Sequence, residues 1–174
     1  MEKKENKKTN WIYMILILLI MICIGIIVFL LIKNKSTLMP DFAPGTVDIN
    51  AIKEEDNSTK MDATAGGGAV SLSYSNVVAI NTKTNDIKMY FKNPSKSRES
   101  IVLQIIVKQN DEEYVIAKSD LLPPGYTLYN MKMNSREKIP VGGYNGIFRI
   151  TYYNENTGEK QIVNTEIDVT IEVS

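Results

Sequence analysis

Val163-Asn164-Thr165-Glu166-Ile167-Asp168-Val169-Thr170-Ile171-Glu172-Val173 puts an apolar or β-branched residue at every odd position and, at every even position, a polar one. A period of two matches a strand with one buried and one wet face, whereas a helix would scatter the same residues around its circumference. Upstream, Ile87, Met89 and Phe91 alternate with Lys88, Tyr90 and Lys92 in the same way. Ile101-Val102-Leu103-Gln104-Ile105-Ile106-Val107 is apolar on both faces, as a central strand requires.

Turn signals separate these runs: Asn93-Pro94-Ser95, Asn110-Asp111, Pro123-Pro124-Gly125, Gly142-Gly143 and Asn156-Thr157-Gly158. The spacing predicts strands near 70–74, 77–82, 86–92, 100–109, 113–118, 126–133, 146–154 and 161–173. Seven or eight short strands without a helical segment describe an all-β, immunoglobulin-like antiparallel β-sandwich over residues 69–174. Tyr144, after a glycine turn and ahead of Phe148, Ile150 and Tyr152, reads as a structural tyrosine corner of such a sandwich; stacking on a ligand is the alternative role.

The other end of the chain has a different composition. Trp11 to Ile32 is 22 residues without a charged side chain. As a helix it measures about 33 Å, enough for a hydrocarbon core of about 30 Å. The lipid bilayer is thus the expected partner of residues 11–32. The run is too long for a cleaved secretory signal, and no small-x-small site follows it, so it reads as an uncleaved signal anchor. Lys3, Lys4, Lys7 and Lys8 precede it, against Lys33 and Lys35 in the first eighteen residues after it. That bias places a cytoplasmic head, 1–10, inside and the C-terminal domain outside: a single-pass cell-membrane protein. Residues 33–68, with Pro40, Pro44, the Glu54-Glu55-Asp56 run and Gly66-Gly67-Gly68, read as a flexible extracellular linker spanning on the order of 30 Å. Asn34-Lys35-Ser36 and Asn57-Ser58-Thr59 match a glycosylation pattern too short to be informative.

Chemistry is sparse. With 20 Lys+Arg against 20 Asp+Glu, nothing favours nucleic acid. With no histidine and one cysteine, the usual zinc sites, Ser-His-Asp triads and Cys-His pairs cannot form. No catalytic residue, cofactor or metal is expected. Glu112-Glu113 is the one pair that could serve a carbohydrate-active enzyme, but adjacent carboxylates point apart. The apolar loop Leu121, Leu122, Pro123, Pro124, Tyr126, with Tyr129 beyond it, is the candidate partner-binding surface; capping of the core by Leu121 and Leu122 is the competing role.

The charged head, the single span, Pro40-Asp41, Leu121-Leu122-Pro123-Pro124-Gly125-Tyr126 and Ile139-Pro140-Val141-Gly142-Gly143-Tyr144 together resemble a group of uncharacterised Firmicutes membrane-anchored surface proteins carrying one small immunoglobulin-like domain. That resemblance covers most of the chain and implies architecture, not activity. The expected role is a non-catalytic binding or scaffolding module of a Gram-positive cell envelope, with an unidentified protein or envelope partner. An accessory subunit of an envelope secretion or conjugation machine is the alternative, although the span has no small-xxx-small pair around Gly25. No sorting signal is read near Val173-Ser174, so sortase attachment is not expected.

Overall fold

The computed structural model describes residues 5–34, 39–54, 71–109, 112–133 and 139–174, with helix side chains described from 11 to 27. Two compact units divide the chain, 1–38 and 39–174.

The first unit holds helix α1, Glu5–Asn34, apolar on every face along its middle. Among the described residues no helix is long and apolar enough to cross a membrane. The described side chains, Trp11 to Ile27, measure about 26 Å as a helix, short of a hydrocarbon core of about 30 Å. The crossing expected over 11–32 extends beyond that segment.

Every regular element described in the second unit is a strand. Its strands are β1 Ala51–Lys53, β2 Ser73–Tyr74, β3 Val77–Asn81, β4 Asp86–Lys92, β5 Glu99–Gln109, β6 Glu112–Lys118, β7 Tyr126–Lys132, β8 Gly142–Asn154 and β9 Lys160–Val173. They form one sheet in the order β1-β7-β4-β3-β9-β8-β5-β6, with β2 also on β4. Among the described residues the named strands all pair antiparallel except β3 on β9, where Val77–Ile80 runs parallel to Thr170–Val173. The sheet curls over on itself. Phe91 of β4 and Phe148 of β8 meet edge to face at 5.7 Å although two strands lie between them in the sheet order. The core fills the space between the two halves with Val78, Ile87, Phe91, Ile101, Leu103, Ile105, Leu128, Phe148, Ile150 and Ile171, all wholly buried. β5 is buried on both faces from Ile101 to Val107, as its composition predicts.

Periodicity located eight of the nine strands among the described residues to within a few residues, and it missed β1. The linker expected over 33–68 is corrected with it, because residues 39–54 are stitched to the sheet. Phe42 bridges Glu159 antiparallel and Val47 bridges Leu121 parallel. Lys160 N–H donates to the Asp41 carbonyl, and Leu121 N–H to that of Thr46. Strands β8 and β5 lie between these two anchors, so the segment crosses them as a strap. Tyr153, on the face of β8 turned away from the core, donates its hydroxyl to the Pro40 carbonyl at 3.0 Å. Asp48, 7% exposed, holds the strap's far end. Its Oδ1 accepts from Asn50 N–H at 2.8 Å and its Oδ2 from Asp120 N–H at 2.9 Å. The physical reason for the docking is the bare edge of β7: Ala51–Lys53 pairs with Leu128–Tyr126 and satisfies amides that would otherwise be unpaired. The acidic run beyond Glu54, the glycine run and Asn57-Ser58-Thr59 lie outside the described residues.

Candidate functional site

β4 and β7 are neighbours whose buried positions, such as Phe91 and Leu128, face the core, so Tyr90, Lys92 and Tyr129 fall on the opposite face. Docking of the strap adds Glu54 to them. Lys92 Nζ donates to Glu54 Oε2 at 2.5 Å, and the Tyr129 hydroxyl donates to Oε1 of the same carboxylate at 2.8 Å. The rings of Tyr90 and Tyr129 lie 5.6 Å apart and inclined at 56°. The Lys92 ammonium, and after it the Tyr129 hydroxyl, hold the Glu54 carboxyl below its ordinary value. The same carboxylate pushes the Tyr129 phenol up. The raised phenol stays protonated and donates to the carboxylate. The cluster is an aromatic platform beside a neutralised ion pair, suited to stacking and hydrogen bonding with a partner.

Of the residues expected to bind a partner, only Tyr129 is exposed, at 44%. Leu122 is wholly buried in the core and bridges Ile101. Leu121, Pro123, Pro124 and Tyr126 are half-buried, and Tyr126 packs against the core. The stretch is held rather than projecting: the buried Asn93 amide donates to the Leu122 carbonyl at 2.9 Å and Gly125 N–H to the Asn93 carbonyl at 2.8 Å. The capping role therefore describes Leu122, and the exposed aromatic surface lies further along β7. Tyr90 was not singled out by the sequence, and Glu54 entered only as part of the acidic run Glu54-Glu55-Asp56, not as a member of this face. Tyr90 had a signal, since it shares the wet face of β4 with two lysines; Glu54 had none, because it joins the face only through the strap.

Tyr144 donates its hydroxyl to the Pro140 carbonyl at 2.8 Å, an architectural contact four residues upstream. Glu112 and Glu113 do not converge. Glu112 accepts from Tyr114, while Glu113 accepts from Arg149 Nη2 at 2.7 Å, and Arg149 Nε reaches Glu166 at 2.6 Å. This ion-pair bridge lies on the same face as a small apolar cluster, Ile106, Val115 and Ile147. An open depression of ≈ 660 Å³ lies among Asn76, Lys108, Asn145, Gly146, Asp168, Val169 and Thr170, with no aromatic wall and no enclosed floor. Among the described residues no three of Asp, Glu, His or Cys are grouped to hold a metal ion.

No protein-family model matches the chain, and no curated protein matches it. Among solved structures it is similar to AggA, the major subunit of aggregative adherence fimbriae type I from Escherichia coli, at 10% identity over 61% of this chain and 95% of that one, with a TM-score of 0.32.

Proposed function

We propose that this chain is a single-pass, membrane-tethered, extracellular module of a Gram-positive cell envelope, with a non-catalytic binding or scaffolding role. The β unit in this reading is an immunoglobulin-like sandwich whose two halves are joined through the parallel β3–β9 contact. The observation that carries the tether is the uncharged run from Trp11 to Ile32, 22 residues in the sequence and lying within α1. Support for a binding role comes from the Tyr90–Tyr129 platform. Tyrosines at such a surface contribute large contact area at small cost in side-chain entropy.

Protease treatment of intact cells tests the topology: residues 39–174 are digested from outside while the head is protected. Protection of the β unit in whole cells and loss only after lysis overturns it. Cross-linking in those cells, with the cross-linker carried at the exposed Asn130 beside Tyr129, tests the platform. Capture of a partner that is lost in Tyr129→Ala and Tyr90→Ala, at equal surface level, supports the binding role. Unchanged capture in both variants removes the platform from it.

A further inference from the structure

We infer that the free side of β9, from Asn164 to Asp168, is a docking edge for an extended segment of another protein, one with apolar residues at alternate positions and Lys or Arg between them. This surface uses other residues than the tyrosine platform and does not depend on the membrane tether.

β9 is paired along one side and bare along much of the other. Its register against β8 is unbroken from Val173 to Asn164, whereas among the described residues β3 covers the opposite side only from Thr170 to Val173. On that side Thr170 N–H donates to the Asn76 carbonyl at 2.8 Å and Ser174 N–H to the Ile80 carbonyl at 2.9 Å. Backbone groups alternate sides along a strand, so the amides and carbonyls of Asp168, Glu166 and Asn164 point the same way as those of Thr170. Among the described residues nothing meets them. β3 does not continue along them, because upstream of Asn76 the chain turns to β4. There Ser75 N–H donates to the Tyr90 carbonyl at 2.8 Å, and the Ser75 hydroxyl accepts from Tyr90 N–H at 3.0 Å. What is left is an open row of about 17 Å, at about 3.3 Å per residue, and the residues that offer it, Asn164, Glu166 and Asp168, are all exposed. The depression among Asn76, Asp168 and Thr170 lies at the end of the row where β3 begins.

Charges and bulges commonly guard an exposed edge. Neither closes this one. The Glu166 carboxylate accepts from Nε of its cross-strand neighbour Arg149 at 2.6 Å, so that charge is drawn over β8 and away from the open side. The register shift against β8 lies beyond the row, between Asn164 and Lys160. Side chains that alternate with the acids turn to the core: Ile167 is half-buried and packs against it. Tyr74 of β2, 36% exposed, meets the ring of Phe148, the cross-strand neighbour of Ile167, edge to face at 6.3 Å.

An apolar boundary on one face of the edge and carboxylates on the other decide what fits. An added strand satisfies the row of amides and carbonyls, places apolar side chains beside Ile167 and Tyr74, and sets basic ones beside Asp168, which forms no ion pair among the described residues. A second copy of β9 fits less well. Antiparallel pairing about Glu166 sets that residue against its own copy, and pairing about Ile167 sets Glu166 against Asp168.

The test uses the full chain in neutral dodecylmaltoside micelles and reads amide hydrogen exchange with and without the capped peptide Val-Lys-Val-Lys-Val-Lys-Val. Prolines in place of the two inner valines give a control of equal charge that cannot form a ladder. The expected result is exchange slowed about tenfold or more at Asn164, Glu166 and Asp168, no change at Leu121 N–H, and no effect of the proline control. Asp168→Lys, a charge reversal at an exposed position, should weaken the lysine peptide roughly 2- to 30-fold and favour its glutamate counterpart. Unchanged exchange at millimolar peptide overturns the inference. Equal slowing by peptide and proline control overturns it too, since charge would then be coating the unit without adding a strand. Slow exchange at the three amides without peptide also overturns it: if the slowing grows with protein concentration the occupant is a second copy, and if it does not the row is filled from within the chain. Parent affinity in D168K overturns the basic character assigned to the partner.

Discussion

Replacing Asp48 by alanine should release the strap without unfolding the core. The carboxylate accepts from the amides of Asn50 and Asp120, and the Asp48 amide donates to the Leu121 carbonyl at 2.9 Å. Each hydrogen bond to a charged group is worth about 1.5–3 kcal/mol, and its loss in a half-buried site is partly offset by water. The expected local cost is about 2–4 kcal/mol, which raises the open population of the strap roughly 30- to 700-fold at 1.4 kcal/mol per decade. Hydrogen exchange reads this at named amides. Leu121 N–H, bonded to the Thr46 carbonyl, and Glu54 N–H, bonded to that of Gly125, should lose protection by that factor. Thr170 N–H, bonded to Asn76 across the β3–β9 contact, should keep its protection. Exchange at Leu121 and Glu54 within about threefold of the parent would refute the reasoning, because the strap would then be held by something other than Asp48. Equal acceleration at Thr170 would refute it differently, by showing that strap and core open as one unit.

Leu122→Ala removes a wholly buried side chain from the core and should cost about 2–5 kcal/mol in chemical denaturation, whereas Tyr129→Ala should lie within about 1 kcal/mol of the parent. Gly146→Ala places a Cβ 2.8 Å from the Ile106 carbonyl oxygen and 2.3 Å from Ile171 Cδ1. Because the first neighbour is backbone, the expected destabilisation is about 1–3 kcal/mol, and it should persist when Ile171 is shortened to valine. Tyr144→Phe removes the bond to the Pro140 carbonyl and should lower stability by about 0.5–1.5 kcal/mol with no change in far-ultraviolet circular dichroism. The Glu54 carboxyl lies below its ordinary value of 4.5 because Lys92 and Tyr129 bond its charged form. Its contribution is therefore present above that value and is lost as pH falls through the lower folded one. Exchange of the strap amides should accelerate in that acid window in the parent, and Glu54→Gln should remove the dependence.

The sequence by itself determined the strands. Strict alternation in β9 and β4 has a single strand reading, because burial of one face imposes a period visible residue by residue, whereas the apolar run of β5 has no period and reads as a strand from its short length, its β-branched residues and the turn signals around it. It also determined the greasy segment, since 22 uncharged residues are a local property. Residues 39–54 were not legible. Prolines, a glycine and charges made them read as a linker, and nothing in their order says that the edge of β7 lacks a partner or that Asp120 presents an amide to Asp48. Leu122 illustrates the same limit: an apolar pair beside a Pro-Pro-Gly turn is equally compatible with a contact loop and with a core cap. Only the backbone pairing of Leu122 with Ile101, which seats its side chain in the core, decides between them. The tertiary structure likewise assembled Tyr90, Lys92, Tyr129 and Glu54 from three separate stretches, because a surface is built by pairing across strands, and pairing depends on contacts far apart in the chain.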